Sequence, residues 1–293
     1  MNQILIIGTG GQVGRELPVA LNKLGRIIAT QRSDLDLTDA DRLRSLIRTV
    51  KPDIIVNAAA YTAVDRAETE AAIAMQINAT APGIMAEESK RLGCLLVHYS
   101  TDYVFDGTKK SSYLESDSTA PLNVYGKSKL AGETAIRATG CRHLILRTSW
   151  VYGQGQNNFP AKIIDLAQSK ALLGIVSDQY GSPTWARLLA DNTGTLIQAI
   201  TENRAEGTYH LASSDACTRY ELAAEIIRLM EISGKYPKLA SLKAATTSEF
   251  PAPAERPRNS ALDCSKLLTE MKIGLPSWKI QLEDYWRSLQ TST

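Results

Sequence analysis

The stretch Ile4-Leu5-Ile6-Ile7-Gly8-Thr9-Gly10-Gly11-Gln12-Val13-Gly14 decides the fold of this chain. Four aliphatic residues in a row, without polar alternation, suit a strand buried on both faces of a sheet. The glycines that follow permit a tight turn and a close approach to the backbone, and Arg15 to Leu24 then reads as a helix. A strand, a glycine-rich turn and a helix in that order are what a dinucleotide pyrophosphate needs. They offer room beside the backbone, unpaired N–H groups at a helix N-terminus and the positive end of the helix dipole. The loop from Gly8 to Gly14 is therefore read as a nucleotide-binding turn.

Downstream of it the alternation continues. A second strand, Arg26 to Thr30, ends at Gln31-Arg32-Ser33, with Asp34 and Asp36 slightly late. An acid at this strand end would hold the 2′-hydroxyl of NADH, and an arginine accommodates the 2′-phosphate of NADPH, so Arg32 makes NADPH plausible without excluding NADH. A helix from Asp39 to Val50 leads to a strand, Ile54 to Val56, which ends in the small residues Asn57 to Ala60. Val64 to Ala86 reads as helical, with a break near Pro82, and its acids Asp65, Glu68 and Glu70 as a solvated face. The strand Leu95 to Tyr99 closes on Ser100-Thr101-Asp102-Tyr103, where hydroxyls at a strand's carboxyl end face the ligand cleft. The loop from Asp106 to Asn123 has no period and is expected to drape over the cofactor edge.

Asn123-Val124-Tyr125-Gly126-Lys127-Ser128-Lys129 opens the next helix, which runs to about Thr139. Tyr125 and Lys129 are four apart and share a helix face. A phenol with a pKa of about 10 is a poor acid or base near neutrality, and a nearby ammonium would favour its phenolate. With Thr101 they make a hydroxyl, phenol and amine triad. The strand His143 to Arg147 ends at Thr148-Ser149-Trp150, and after it the alternation degrades. Helix Phe159 to Ser169, strand Leu173 to Val176, helix Arg187 to Glu202, strand Gly207 to Ala212, helix Arg219 to Glu231 and a Pro-punctuated tail follow. The expected fold is α/β, a Rossmann-type doubly wound parallel sheet with a second, smaller α/β substrate lobe. Residues 1–150 would form the dinucleotide-binding domain, and residues 151–293 the substrate lobe, with some segments returning to the first domain.

Composition narrows the class. Of 293 residues, 44% are hydrophobic and 22% charged, and the net charge is +2, too small to argue for nucleic acid or a membrane surface. The chain enters its first strand after Met1-Asn2-Gln3, with neither a signal peptide nor an apolar run long enough to span a bilayer. Cys94, Cys141, Cys217 and Cys264 are dispersed, as reduced thiols in a cytoplasmic protein would be.

Together these motifs resemble the extended short-chain dehydrogenase/reductase family. The resemblance is carried by the glycine loop, Val56 to Asp65, Tyr99 to Gly107, Pro121 to Glu133, Leu146 to Gly153 and Arg256-Pro257-Arg258-Asn259-Ser260, and so covers most of the chain. Within that family the stretches are similar to reductases of a 4-keto dTDP-sugar. The resemblance implies that the sugar C4 carbonyl lies between Thr101 and Tyr125. Tyr125 would give the proton, Thr101 would hydrogen-bond the same oxygen, and Lys129 would hold the nicotinamide ribose and tune Tyr125. It implies that Gly11, Gln12, Val13, Asp36, Leu37, Ala60, Tyr61, Thr62 and Tyr99 line the cofactor. Val64, Asp102, Tyr103, Trp150 and Arg256 become candidates for the sugar nucleotide, with Arg258 competing with Arg256 for a diphosphate.

Related dehydratases place a glutamate after Thr-Asp as the base for elimination. Tyr103 stands there in this chain, which favours net reduction. The alternatives are another nucleotide-sugar reductase or epimerase, and a non-catalytic NADP-binding subunit resembling the regulatory subunit of methionine adenosyltransferase. The latter would predict degraded catalytic positions. Some relatives dimerise around a magnesium ion held by two glutamates. Glu16 matches the first, but Arg187 occupies the second position, so no metal and a monomer or weak homodimer are expected.

Overall fold

The computed structural model describes residues 2–155, 158–201 and 206–291. Six strands, β1 (Asn2–Ile7), β2 (Gly25–Thr30), β3 (Ile54–Asn57), β4 (Leu95–Thr101), β5 (His143–Thr148) and β6 (Gly207–His210), form one sheet in the order β6-β5-β4-β3-β1-β2. Every neighbouring pair is parallel. The longer helices are α1 (Gln12–Leu21), α2 (Ala40–Val50), α3 (Ala81–Leu92), α4 (Val124–Thr139), α5 (Phe159–Ser169), α6 (Ala186–Thr201), α7 (Arg219–Ser233), α8 (Ser265–Met271) and α9 (Trp278–Thr291), and two short ones, Val64–Ala67 and Ala71–Met75, lie between β3 and α3.

The uninterrupted aliphatic run of β1 is explained by burial on both faces. Ile4 and Ile6 join Val56, Val97 and Leu146 in a core closed by α1, α6 and α8. Leu5 and Ile7 point the other way, into a core shared with Ile55, Leu96 and Ile145 and closed by α2, α3 and α4. Side-chain alternation along each strand thus divides one apolar run between two cores. β2 lies on one side of β1 and β3 on the other, so the chain changes direction at β1. The gap beyond the carboxyl ends of β1 and β3 is where ligands of such sheets bind.

A third core, with Tyr152, Ile163, Leu173, Ile226, Met230, Trp278 and Tyr285, joins α5, α7 and α9 to a parallel pair of strands, Leu172–Val176 and Ser241–Ala245. Between these segments α6 and β6 pack on or join the main sheet. The expected end of α6 at Glu202 lies outside the described residues. The Pro-rich tail contains more structure than its punctuation suggests: strand Ser241–Ala245, α8 and α9.

Four local expectations are corrected. α1 begins at Gln12, not Arg15, because Gly11 is already its extended N-cap and the turn feeds directly into the helix. Pro82 does not end a helix. It opens α3 after a π-helical turn, Gln76–Thr80, and α3 runs on to Leu92. Asp65, Glu68 and Glu70 are anchors and not merely a solvated face: Asp65 binds Arg256, Glu68 accepts the Val124 N–H at 2.8 Å, and Glu70 accepts from Tyr61 and Arg66. The loop after Asp106 makes its bonds to the C-terminal segment: Tyr113 pairs with Leu262, and the carbonyls of Lys109 and Ser111 accept from Asn259.

The π turn allows an unusually close crossing. Proline has no N–H for the Asn78 carbonyl four residues earlier, and that carbonyl faces Gly132 of α4, where a Cβ would lie 2.1 Å from it. Gly132→Ala is therefore expected to force α4 away from the π turn and to lower the unfolding free energy by about 1–3 kcal/mol. Urea denaturation followed by circular dichroism measures this.

Candidate active site

The glycine loop is held at both ends. Gly8 and Thr9 donate their N–H groups to the Thr30 carbonyl at 2.9 and 3.0 Å, and Gly11 donates to Gly8 at 3.1 Å. Gly8 has φ +97°, and a Cβ there would lie 2.5 Å from the Ala59 nitrogen. A Cβ on Gly14 would lie 2.0 Å from the Gly8 carbonyl, so this glycine seats α1 on the turn. Gly10 and Gly11 are different: a Cβ on either would meet nothing closer than 3.5 Å. The space above them is open, beside the first N–H groups of α1. Gln12 donates to the Val151 carbonyl at 3.5 Å, while its buried Oε1 has no partner among the described residues.

Other residues expected at the cofactor divide. Ala60, Tyr61 and Thr62 follow β3, and Tyr61 is fixed by Asn78, which accepts its N–H at 2.8 Å. Asp36 is engaged locally, its Oδ1 accepting from the Thr38 N–H and hydroxyl at 2.9 Å each, bonds that hold its pKa below the usual carboxylate range. Arg32 is exposed at the end of β2. Two side chains turn away from the cleft. Leu37 enters the core on the α2 side, and Tyr99 enters the opposite core with its hydroxyl 2.5 Å from Thr193. Only the Tyr99 carbonyl addresses the site.

At the end of β4, Thr101 and Asp102 are buried. The Thr101 hydroxyl donates to Asp102 Oδ1 at 3.0 Å and accepts the Tyr103 N–H at 3.2 Å, while Ser149 donates to Asp102 Oδ2 at 2.8 Å. Burial raises the pKa of Asp102 despite the hydroxyls of Ser260, Ser149 and Thr101. Tyr125 of α4 lies near Thr101, and Tyr103 meets the Tyr125 ring edge-on at 5.8 Å. Gly126 allows this approach, since a Cβ there would lie 2.2 Å from the Tyr103 carbonyl. Burial raises the phenol pKa of Tyr125, and the nearby Thr101 hydroxyl offsets only part of that.

Lys129 is 2% exposed. The expectation that its charge tunes Tyr125 needs revision: its Nζ donates to the Tyr99 carbonyl at 2.6 Å and lies 3.2 Å from His98 Nε2. Desolvation brings its pKa down from 10.5 to about 8, against the pull of Glu133.

The sugar-nucleotide candidates meet a residue that sequence reading missed. The Arg219 guanidinium lies 3.5 Å from the Trp150 ring centre and 5.1 Å from that of Phe159, with Tyr103 near enough to act on its charge. Burial lowers its pKa, and Tyr103 and Asp102 act against that. Trp150 has φ +44°, a conformation non-glycine residues avoid. Its indole fills the space beside Gly181, where a Cβ would lie 2.3 Å from Trp150 Cε2. Arg256 borders Tyr103, but its fork is closed on Asp65, with Nη1 and Nη2 each 2.7 Å from a carboxylate oxygen. Val64 starts the short helix Val64–Ala67 that also carries Asp65. The one available signal for Arg219 was its position at the start of α7, directly after the Thr218 cap.

A parallel sheet that reverses direction at β1, a glycine turn at that reversal, and hydroxyl, phenol and amine side chains around the end of β4 define a Rossmann-type protein of the reductase class. The family model described as RmlD substrate binding domain matches residues 1–291, and the chain belongs to that family. Among its relatives, dTDP-4-dehydrorhamnose reductase of Escherichia coli K12 is 42% identical over 295 residues, covering 99% of both chains. The enzyme of that name from Burkholderia thailandensis is 42% identical over 284 residues, covering 94% of this chain and 95% of its own. The structure of dTDP-4-dehydrorhamnose reductase from Bacillus anthracis in complex with NADP is 33% identical, with a TM-score of 0.91 and coverage of 98% and 99%. UDP-glucose 4-epimerase of Thermus thermophilus, at 18% identity and a TM-score of 0.75 over 97% and 99% of the two chains, shares the fold.

The burial of Lys129 has a measurable consequence. The folded state holds its ammonium less well than the unfolded chain does. The destabilisation is therefore complete below about pH 8 and disappears as pH rises towards 10.5. Lys129→Met is expected to raise the unfolding free energy by ~2 kcal/mol at pH 7, with the gain shrinking above pH 8. Urea unfolding of both proteins at several pH values tests the sign.

Proposed function

We propose that this chain is an NAD(P)H-dependent reductase that converts dTDP-4-dehydro-6-deoxy-L-mannose to dTDP-L-rhamnose, the last step in making that sugar nucleotide. The observation that carries the reading is the 42% identity to dTDP-4-dehydrorhamnose reductase over 99% of both chains. The intact Thr101, Tyr125 and Lys129 support catalysis over a purely binding role. The absence of a carboxylate at Tyr103 disfavours a dehydratase.

The residues suit a dinucleotide. The open space over Gly10 and Gly11 leaves room for a pyrophosphate, with the first turn of α1 to receive its charge, and Gln12 Oε1 is a buried acceptor still without a partner. Gly8, Gly11, Gln12, Val13 and Gly14 would hold the phosphates. Arg32, Asp36 and the backbone at Leu37 would lie towards the adenosine ribose, and Ala60, Tyr61, Thr62 and the Tyr99 carbonyl further along. When bound, the reduced nicotinamide supplies a hydride.

The protein supplies orientation and the proton. Tyr125 is buried, so its phenol stays protonated at neutral pH, and an alkoxide forming at the sugar C4 oxygen is a stronger base than a phenolate. Proton transfer from Tyr125 to that oxygen is therefore downhill once charge develops. Thr101 gives its proton to Asp102 in this structure, so a bond from Thr101 to the sugar requires its hydroxyl to rotate away from that carboxylate. Lys129 would hold the nicotinamide ribose.

Residues 151–293 furnish the substrate lobe. In this reading Trp150 and Tyr103 flank the sugar nucleotide with Val64, and Arg219 takes the diphosphate role that Arg256, closed on Asp65, is less free to fill. A monomer or weak homodimer in the cytoplasm, without nucleic acid, is the setting we assign. No described helix is long and apolar enough to cross a membrane. Glu16 is paired with Arg187 at 3.1 Å, an arrangement in which the arginine already neutralises the carboxylate that would bind magnesium.

Tyr125→Phe is expected to lower kcat by about 10²–10⁴-fold and leave NADPH affinity nearly unchanged, read by loss of nicotinamide absorbance with the 4-keto sugar and by fluorescence titration. Wild-type protein that consumes no NADPH with this substrate refutes the reaction. Arg219→Gln is expected to raise KM for the dTDP-sugar by about tenfold or more, as the loss of a charged bond would, with a smaller change in kcat. An unchanged KM removes Arg219 from the site.

A further inference from the structure

Two of the cysteines that look dispersed in the sequence come together where β4 and β5 begin. Leu96 of β4 is the register partner of His143 of β5, and the Leu96 N–H donates to the Arg142 carbonyl at 2.9 Å. Two positions back on each chain segment, and on the same face, stand Cys94 and Cys141. They are 4% and 5% exposed and share a core with Leu96 and Ile145. Neighbouring strands run about 4.8 Å apart, and a disulfide spans Cα atoms about 4.4–6.8 Å apart. The two sulfurs are near enough that a thiolate at Cys141 disfavours one at Cys94. Cys217 and Cys264 pack in separate cores.

The flanking backbone gives the pair access and slack. Each cysteine directly follows the glycine that ends a helix: Gly93, with φ +71°, caps α3, and Gly140, with φ +64°, caps α4. Among the described residues a Cβ on Gly93 would meet nothing within 4 Å, and one on Gly140 only the tip of Lys90 at 3.9 Å, so the way past both turns is open. Glycine adjusts its backbone at little steric cost, which lets the two thiols close the remaining distance. We infer that Cys94 and Cys141 are a redox-responsive dithiol, which a hydroperoxide converts to a disulfide and small thiols reopen.

The chemistry balances without a further reactant. One thiolate attacks the peroxide O–O bond to give a sulfenic acid, and the second thiolate attacks that sulfur and expels its oxygen as water. Two thiols and one hydrogen peroxide become a disulfide and two waters, the sulfurs oxidised and the peroxide oxygens reduced. Two small thiols reverse the bond by exchange and leave as their own disulfide. Burial raises the pKa of both thiols, and the nearby Ser89 and Thr139 hydroxyls act against that. Asp53 disfavours the Cys94 thiolate, Glu206 disfavours that of Cys141, and Lys90 favours the latter. Oxidation is therefore slow at neutral pH and quickens as pH rises, which suits a pair that rests reduced. The bond would lie at the amino end of β4, whereas Thr101 ends that strand at the other side of the sheet. It would close a loop that contains Thr101, Tyr125 and Lys129, stapling that segment without entering the site. The reading of those three residues as catalytic gives the staple its functional weight.

The test treats the full-length protein with hydrogen peroxide at about pH 8.5, where the thiolate fraction is raised. Free thiols are then counted in urea, and tryptic peptides are mapped by mass spectrometry. The expected result is a fall from four thiols to two, with the peptides of Cys94 and Cys141 recovered as one cross-linked species that dithiothreitol separates. Cys94→Ala and Cys141→Ala should each form no cross-link. Closing the loop should lower the unfolding constant of the oxidised protein by about 30-fold or more relative to the reduced one, read by urea denaturation, with no such difference in either variant. Four thiols after treatment, a cross-link to Cys217 or Cys264, an unlinked sulfinic acid at either position, or an unchanged unfolding constant overturns the inference. These measurements need neither substrate nor cofactor. A failed cross-link would leave the reductase reading standing, and an inactive enzyme would leave the thiol result untouched.

Discussion

Desolvation at the carboxyl end of β4 is the constraint on which the rest of the structure depends. From Leu95 to Asp102 every residue is buried, and the strand changes from an apolar run to His98, Tyr99, Ser100, Thr101 and Asp102 without leaving the interior. Each polar group there needs a partner from another element, because an unpaired buried donor or acceptor costs about 1–3 kcal/mol. His98 meets Asn57 and Lys129, Ser100 meets Glu133, and Asp102 meets Thr101 and Ser149. Neighbouring strands and α4 are thereby fixed in register by the same bonds that set the charge states of the site. The low-dielectric surroundings keep Tyr125 protonated and lower the pKa of Lys129.

That constraint explains what could be read from the chain. The two-faced burial of β1 is written in its four consecutive aliphatic residues, and the glycine turn in its spacing, so the sheet and the nucleotide loop were legible. Tyr125 and Lys129 were legible as a helix-face pair. What Lys129 touches was not. The sequence suggests a partner four residues away, but burial turned the amine towards a strand thirty positions earlier. His98 appeared as one polar letter in an apolar strand. A polar residue within such a run signals a buried bond, but nothing local names its partner. Tyr99 and Leu37 were placed at the cofactor by motif matching, although strand alternation and the apolar face send both side chains into the cores.

The acids near Val64 were misread, and the contacts of Arg219 and Arg256 were missed, for a common reason. Their partners are far away in sequence, and a charge pattern within one helix looks the same whether it faces water or a distant segment. Asp65 and Arg256 are 191 residues apart, and the pair closes with two bonds of 2.7 Å. Counting charges along Val64 to Glu70 could not show this.

The segment from Ala254 to Asp263 draws these points together. It donates the Ala254 N–H to Asp65, accepts from Asn123 at the Glu255 carbonyl, lays Pro257 against Gly107, gives the Asn259 amide to Lys109 and Ser111, and pairs Leu262 with Tyr113. Asn123 is also the N-cap of α4. A single extended strap therefore fixes the short helix bearing Asp65, the cap of the helix bearing Tyr125 and Lys129, and the loop from Asp106 to Asn123. That loop has no hydrophobic period because its order comes from backbone bonds to the strap and from the one buried ring of Tyr113, stacked on Phe105 at 4.2 Å, not from a repeating apolar face. The strap's own sequence, entered through Pro251 and Pro253 and broken by Pro257, cannot form a helix, and this leaves its carbonyls and N–H groups available for the elements it crosses. The prolines that make the tail look unstructured are thus the reason it can hold the two halves of the site together.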